Sequence, residues 1–483
     1  MKTFFRYTFI LMLCLLLGII ISNFFVSKKI KILISEETAL SYSSLSVNIF
    51  TGNLTLKQVR FNEAGQEIRI EKIRLNAEII PYITEGKISI ESIETKGLNL
   101  KIYADSSLEN RTFKKSILLN IGRLHLEDSK ITVENDGQTK FEIAQLNLKA
   151  ENIKWPLDKT YEWLSNESLE IEAKNLKYSI DTLHDFKTES LDFSNKSLRL
   201  SEVSVEPKFT KSEYIHHIQT EKDWMNLKSK FLKISGIELL EKEDLLYVFS
   251  DKIQVDTTDF HIYRDKTIAD DTSYKPLYSQ ALRDLDFQLK VDSLLFSELD
   301  LTYQELVDQR KKPGEIKFNS IHGHISNIHN SLNAKQPDIK VAAKAKFSQN
   351  SEILFHLNFV PDHEQFYVST YLAQIEDNSI NSFFGPNMQM ELDGKIKEIR
   401  TAIYGNNTEM NGEFSMAYDK LKLDILNKNG SKNSFASLLS NALIKNKNVD
   451  KTHTLSDIER NNTKSFWNYV MIFHSQGLKN SLL

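Results

Sequence analysis

The densest group of potentially reactive side chains is Ser320-Ile321-His322-Gly323-His324-Ile325, with His329 just beyond it. On an extended strand, residues two apart share a face, so His322 and His324 could offer two imidazoles to one metal ion. No carboxylate lies between them to complete a tetrahedral set, and the simpler reading is a pair of strand residues on a solvated face. His216-His217 would point to opposite faces if extended. The pairs Asp270-Asp271 and Asp284/Asp286 are spaced like acid–base partners, yet among 65 acidic residues such neighbours arise from composition alone. Tyr303 and Glu305 fall on one strand face and read as a hydrogen-bonded or solvent-facing pair. No two glycines sit two apart, which removes the dinucleotide-binding turn; the phosphate loop, the nucleophile elbow and the zinc-protease helix are also absent. The single cysteine, Cys14, excludes an internal disulfide and a cysteine-based zinc site. The chain is therefore expected to be no enzyme, with no catalytic residue, cofactor or metal.

Something other than chemistry must then account for 483 residues, 41% of them apolar. Tyr7 to Ser27 is uncharged and rich in Leu, Ile and Phe, long enough as a helix to cross a bilayer core of about 30 Å. The residues after Leu17 form a poor cleavage site, so the segment reads as a retained transmembrane anchor. Lys2 and Arg6 on one side and Lys28, Lys29 and Lys31 on the other leave its orientation undecided by charge. Setting those five cations aside, the body carries 56 Lys+Arg against 65 Asp+Glu, net −9. An acidic body argues against nucleic acid, whose phosphates demand clustered cations.

After the anchor the dominant signal is strict alternation of apolar and polar residues, the mark of strands with one buried face. Leu45, Val47 and Ile49 alternate, then Leu54 and Leu56 beyond the Thr51-Gly52-Asn53 turn. Ile88/Ile90, Leu98/Leu100/Ile102, Leu124/Leu126, Phe141/Ile143, Leu285/Phe287/Leu289 and Phe355/Leu357 continue the pattern. Within several runs the parity slips by one, as in Leu54-x-Leu56-x-x-Val59-x-Phe61 and Ile68-x-Ile70-x-x-Ile73-x-Leu75. A β-bulge would do this, bending the strand while both halves keep facing one interior. Helical spacing is confined to short stretches: Ile80 to Glu85, Glu221 to Phe231, Phe435 to Leu443, and Ser465 to Leu483. In the last of these, Phe466, Trp467, Val470, Met471, Phe473, His474 and Leu478 form a broad apolar stripe, expected to plug one end of the sheet, the alternative being a helix lying on a membrane surface with Trp467 at headgroup level.

No Pro- or Gly-rich linker divides the body, which exceeds the usual size of one compact core. A sheet extended by successive kinked units solves that problem, with apolar faces curling towards each other as a groove. A closed sandwich or barrel gives the same period; the number of repeats in one uninterrupted body favours the groove.

The stretch Val47-Asn48-Ile49-Phe50-Thr51-Gly52-Asn53-Leu54-Thr55-Leu56, then Val59-x-Phe61 and Gly86-Lys87-Ile88-Ser89-Ile90-x-x-Ile93-x-x-x-Gly97-Leu98, resembles the start of AsmA-like proteins. Tyr263-Arg264-Asp265-Lys266, Lys275-Pro276-Leu277, Leu285-Asp286-Phe287, Tyr303-Gln304-Glu305 and Gly314-Glu315-Ile316-Lys317-Phe318 are similar to the downstream half of Bacteroidota members of that clan. The resemblance implies a bridge-like β-groove, an inner-membrane, single-pass anchor with the body in the periplasm, and a role in outer-membrane lipid transport or homeostasis.

The resulting expectation is a mainly β protein: an N-terminal transmembrane helix, a long curled antiparallel β-sheet forming a β-groove with a few short helices, and a C-terminal amphipathic helix. Its parts are the anchor (1–31), two portions of the groove (32–265 and 266–433) and the helical segment (434–483). The groove would shelter phospholipid or other acyl chains along the nineteen alternating residues named above, from Leu45 to Leu357. A second reading makes the chain a structural or regulatory envelope protein that binds assembling outer-membrane proteins at a sheet edge.

Overall fold

Strands form where apolar and polar residues alternate, because a pleated chain then buries one face and wets the other. The computed structural model describes residues 40–482 apart from 49–51, 64, 79–88, 105–118, 156–167, 244, 332–335, 348–350, 428–429, 435 and 438–446. The expected anchor, the helical step over Ile80 to Glu85, Ile49 and Ile88 of the expected lining, and most of Phe435 to Leu443 lie outside the described residues. Among the described residues no helix is long and apolar enough to cross a membrane. The fold is mainly β, with few short helices: 21 strands belong to one mixed sheet that is not closed. The chain divides into two compact units, Met1–Val203 with Ile234–Asp244, and Ser204–Lys233 with Leu245–Leu483.

In the first unit β1 (Leu40–Ser41) and β2 (Ser44–Asn48) pair with β3 (Asn53–Glu63), followed by β4 (Gln66–Glu78), β5 (Ser89–Tyr103), β6 (Leu119–Asn135), β7 (Gln138–Trp155), β8 (Glu170–Ser179) and β9 (His184–Ser194). Neighbours run antiparallel except β5 and β6, which are parallel. The chain changes unit in the region of β10 (Ser197–Pro207), β11 (Trp224–Ser235) and β12 (Glu238–Lys242). In the second unit β13 (Leu245–Asp265) is again parallel to β14 (Gln288–Leu306). From there β15 (Gly314–His329), β16 (Ile339–Lys346), β17 (Glu352–Phe359), β18 (Phe366–Ile375), β19 (Met390–Gly405), β20 (Glu409–Ile425) and β21 (Lys447–Glu459) follow as an antiparallel meander.

Three expectations are corrected. The sheet is mixed, not antiparallel: period 2 is common to both pairings, and the connection 266–287 is long enough for the crossover that parallel β13 and β14 require. Glu221 to Phe231 does not form a helix but leads into β11, where the Ser229 hydroxyl donates to the Asp256 carbonyl (3.1 Å) and accepts from Thr258 Oγ1 (2.9 Å). Bonds to a neighbouring strand override its weak helical spacing. Leu285 and Phe287 precede β14, because Asp284 N–H bonds the Gln280 carbonyl and Leu285 N–H the Leu282 carbonyl, continuing the turn of the helix Tyr278–Arg283.

The parity slips have a common backbone origin. Gln58 (φ 51°), Gly97 (φ 65°) and Asp128 (φ 52°) adopt left-handed conformation within their strands. They lie in one line across the sheet: Gln58 and Gly97 both face Glu71 of β4 in register, and Gly97 stands beside Asp128. Where neighbouring strands slip at the same row no residue is inserted, so the expected bulge is replaced by an in-register kink from β3 to β6. True bulges do enter elsewhere: at Glu91 between β4 and β5, where Asn76 faces Ser92 and Ala77 faces Ile90, and between β6 and β7 around Ser129. The peptide N–H turned out of the ladder there is recaptured, since Asp128 N–H donates to Asn147 Oδ1 (2.9 Å). Ser320 N–H to Asp300 Oδ1 (2.7 Å) and Asp457 N–H to Asn411 Oδ1 (2.8 Å) repeat the device in the second unit.

Both parallel pairs carry the same double slip. Ile90, Ile93 and Thr95 stand beside Ile121, Leu124 and Leu126, while Ser250, Ile253, Val255 and Thr258 stand beside Val291, Leu294, Phe296 and Leu299. The spacing i, i+3, i+5, i+8 is thus a module used once in each unit.

The first unit seals most of its described apolar face. Leu56, Ile68, Ile73, Ile90, Ile93 and Leu100 are no more than 1% exposed and belong to one continuous cluster. At about 25 cal/mol per Å² this face is the main stabilising surface of the unit. Replacing Leu100 by Asp is expected to cost several kcal/mol, whereas Asn99→Lys, on the exposed side of the same strand, should stay within about 0.5 kcal/mol. Gly97→Ala, held at positive φ with a new Cβ 3.0 Å from that of Glu71, should cost about 1–2 kcal/mol. Urea midpoints at unchanged slope check all three.

Candidate functional site

The strand registers of the second unit place one row of residues across eight strands: Val255, Phe296, Gly323, Ala343, Phe355, Thr370, Thr401 and Phe414. Alternation puts the row on the apolar face. Its parallel neighbour runs Ile253, Leu294, Ile325, Val341, Leu357, Val368, Ile403 and Gly412. Chemically the rows change little along their length, but burial changes sharply. Thr370, Thr401 and Phe414 are buried, as are Val368 and Ile403. Val255, Phe296, Ala343 and Phe355, with Ile253, Leu294, Ile325 and Val341, are only half-buried.

The helix Phe466–Leu482 makes that difference. Phe466, Tyr469, Val470, Phe473, Gly477 and Ser481 form its buried side. Phe473 lies against Gly412, where a Cβ would stand 3.0 Å from the ring, and Gly477 lies against the Phe414 ring, where a Cβ would fall at 2.2 Å. Two glycines therefore set how closely helix and sheet approach. His474 Nε2 reaches Thr370 Oγ1 (3.4 Å), whose hydroxyl also bonds that of Thr401 (2.6 Å). Trp467, beside Phe355 with ring centres 5.5 Å apart, marks where this cover ends.

At one end of β14 the helix Asp377–Met388 packs on β15 and β19, setting Phe383 near Tyr303 (6.2 Å between rings) and bonding Ser382 Oγ to the Glu315 carbonyl (2.8 Å). The apolar rows give way there to polar residues. Arg264 donates two bonds to Asp223 (2.7 and 2.6 Å), and Tyr303 donates to Glu305 (2.7 Å). Burial opposes the Arg264 charge, but the bonds to Asp223 outweigh it and raise its pKa; burial pushes the Tyr303 phenol up. Near this end Lys211 Nζ lies 2.7 Å from Gln304 Oε1 and 3.2 Å from His261 Nε2, with the Trp224 and Tyr263 rings about it. Burial lowers the pKa of both Lys211 and His261.

Between these boundaries lies the open part of the face. The Phe296 ring folds over Gly323, where a Cβ would stand 2.5 Å from both the Ala342 carbonyl oxygen and Phe296 Cζ. An open depression of about 580 Å³ over β13–β17 belongs mostly to the other side of these strands, lined by Leu295, His322, His324, Ala342, Leu354 and His356.

The expected lining residues fall into different settings. Leu54, Leu56, Ile90, Leu98, Leu100, Ile102, Leu124, Leu126 and Ile143 are at most 5% exposed, and Leu45 and Phe141 pack partly buried against them. These residues fill a core with their own side chains. Val47 belongs to β2, and Leu285, Phe287 and Leu289 are half-buried at or before the start of β14. Phe355 lies on the half-open row, with Leu357 buried beside it.

The reactive-looking groups are accounted for structurally. His322 Nε2 lies 3.3 Å from Glu298, and His324 shares a cross-strand row with Ala342 and His356. His329 Nε2 is 3.0 Å from the Pro337 carbonyl, and His217 stacks on Phe209. Among the described residues no group of three His, Cys, Asp or Glu could hold a metal ion. Asp270 pairs with Lys464, and Lys275 beside Asp271 holds that carboxyl well below the usual carboxylate range. The place of Tyr469 on the buried side of the 466–482 helix and the half-open row were not anticipated from sequence; lone glycines such as Gly412 and Gly477 within apolar patterns are the signal of close approach that points to the helix seat.

No family model matches the chain, and no curated protein is significantly similar to it.

Gly477→Leu should unseat the 466–482 helix, because its side chain must displace Phe414, at a cost of about 1–3 kcal/mol. The expected signature is faster proteolysis within 460–482 with the strands intact; an equally protected helix would refute the close-contact account.

Proposed function

We propose that this is a membrane-anchored periplasmic protein that shelters or carries lipid acyl chains, contributing to outer-membrane lipid transport or homeostasis. The observation that carries the reading is the half-buried row Val255, Phe296, Gly323, Ala343 and Phe355, which presents apolar surface without a polar side chain. Its strands are paired on both edges, so the face has no ladder groups to offer a guest. A peptide lying there would leave its own N–H and C=O groups unbonded, which costs several kcal/mol at about 2–7 per group. An acyl chain has none to lose.

The gain is large on the same terms. At about 0.8 kcal/mol per methylene, a sixteen-carbon chain in water costs about 12 kcal/mol, and an apolar face offsets most of it. No bond need form or break, so the role requires no catalytic residue. The uncharged segment Tyr7 to Ser27 and the AsmA-like motifs support an envelope location. Protease added to spheroplasts should digest the body beyond residue 31; complete protection would rule out the periplasmic placement.

Mass spectrometry of lipids copurifying with residues 32–483 tests the carriage itself. Acyl lipid should be recovered, and the paired substitutions Val255→Asp and Ala343→Asp should at least halve it while unfolding midpoints of the two forms stay similar. Lipid-free protein that captures unfolded outer-membrane proteins would favour sheet-edge binding instead.

A further inference from the structure

The half-open row has a rim of a different character. Tyr274, Tyr278, Trp467 and Met471 are 45%, 41%, 50% and 46% exposed, four of the most exposed large apolar or aromatic side chains among the described residues. Two of them flank one buried ring, Phe466 lying 5.3 Å from Tyr278 and 5.5 Å from Trp467, while Met471 is one helical turn beyond Trp467. The 274–278 segment is tied alongside by the bond from Lys275 N–H to the Asn462 carbonyl (2.8 Å). The opposite side of the helix is already committed to the core through Phe466, Tyr469, Val470 and Phe473, so Trp467 and Met471 are not a misplaced packing face.

We propose that this rim docks the second unit onto the interface of a lipid bilayer and is where an acyl chain passes between bilayer and row. The inference rests on the acyl-carriage reading for its purpose, but not for its test. Tyr and Trp join a flat apolar body to a polar tip, the combination favoured at headgroup depth. Lys479 is the one charged residue of Phe466–Leu482, so attraction to anionic lipid is not the driving term. Trp467 also touches Phe355, the nearest member of the half-open row, so a chain leaving the bilayer at the rim meets that row without crossing water.

The full chain reconstituted in phosphatidylcholine vesicles tests this, with acyl-brominated phosphatidylcholine placed in the host bilayer or in added vesicles. Bromine should quench a component of tryptophan emission that disappears in Trp467→Phe and changes less than twofold between 50 and 500 mM salt. The triple variant Tyr278→Ser, Trp467→Ser, Met471→Ser should acquire a fluorescent fatty acid from vesicles at least tenfold more slowly, with the amount held at saturation unchanged. Equal quenching with and without Trp467, quenching that requires anionic lipid, or an unchanged acquisition rate would overturn the rim. Rim quenching in a protein that retains no acyl ligand would keep the docking surface and sink the carriage reading; retained ligand without rim quenching would do the reverse.

Discussion

A strand cannot be long, twisted and one-faced without a device that resets its parity. Each pleat sends successive side chains to opposite sides, so any break in the apolar pattern would move the rest of a strand's core face into solvent. This protein answers with single left-handed residues placed inside strands, and accepts the strain of doing so at side chains as unsuited as Gln58, Glu298 and β-branched Thr257. A left-handed residue away from glycine is disfavoured by about 1–2 kcal/mol, which persists only where surrounding burial over-determines the conformation. The flanking residues supply that burial: Leu56 and Val59 around Gln58, and Leu126 and Ser129 around Asp128, are all nearly inaccessible. The asparagine and aspartate side chains that recapture displaced N–H groups complete the device.

The two units use the apolar surface so gained in opposite ways. In the first it is consumed internally, with leucine and isoleucine side chains from β3 to β8 filling the space between them. In the second, glycine and alanine enter the row at Gly323 and Ala343, and helices cover only part of what remains. Small residues in the middle of a strand pack little surface of their own, and at Gly323 the room so left is taken by the Phe296 ring.

Much of this was legible in the residues themselves. The period of two marked the strands, the i, i+2, i+5, i+7 spacing marked their kinks, and the stripe from Phe466 to Leu478 marked a helix that docks on one side, although Trp467 and Met471 of that stripe stay exposed. What escaped were properties that depend on partners distant in sequence. Parallel and antiparallel neighbours demand the same alternation, so β5 beside β6 could not be told from a hairpin. Leu100 and Phe355 carry equally apolar signals, yet one is sealed and the other half-open. That difference is set by what lies across from each, over a hundred residues away for Phe355 and the helix bearing Trp467. The kink also looked like an inserted residue, because one strand viewed singly cannot reveal that its neighbour slips at the same height.

The seat of the 466–482 helix bears on how the second unit reaches its final state. The helix follows in sequence every strand it covers, so during vectorial synthesis β18–β20 can pair while Val368, Ile403 and Phe414 are still wet. For that interval the continuous apolar rows span all eight strands, a surface prone to self-association in a crowded compartment. Glycines at 412 and 477 let the late-arriving helix settle against the sheet without rearranging side chains already packed. Their absence of side chain thus shortens the time during which the unit resembles its own aggregation intermediate.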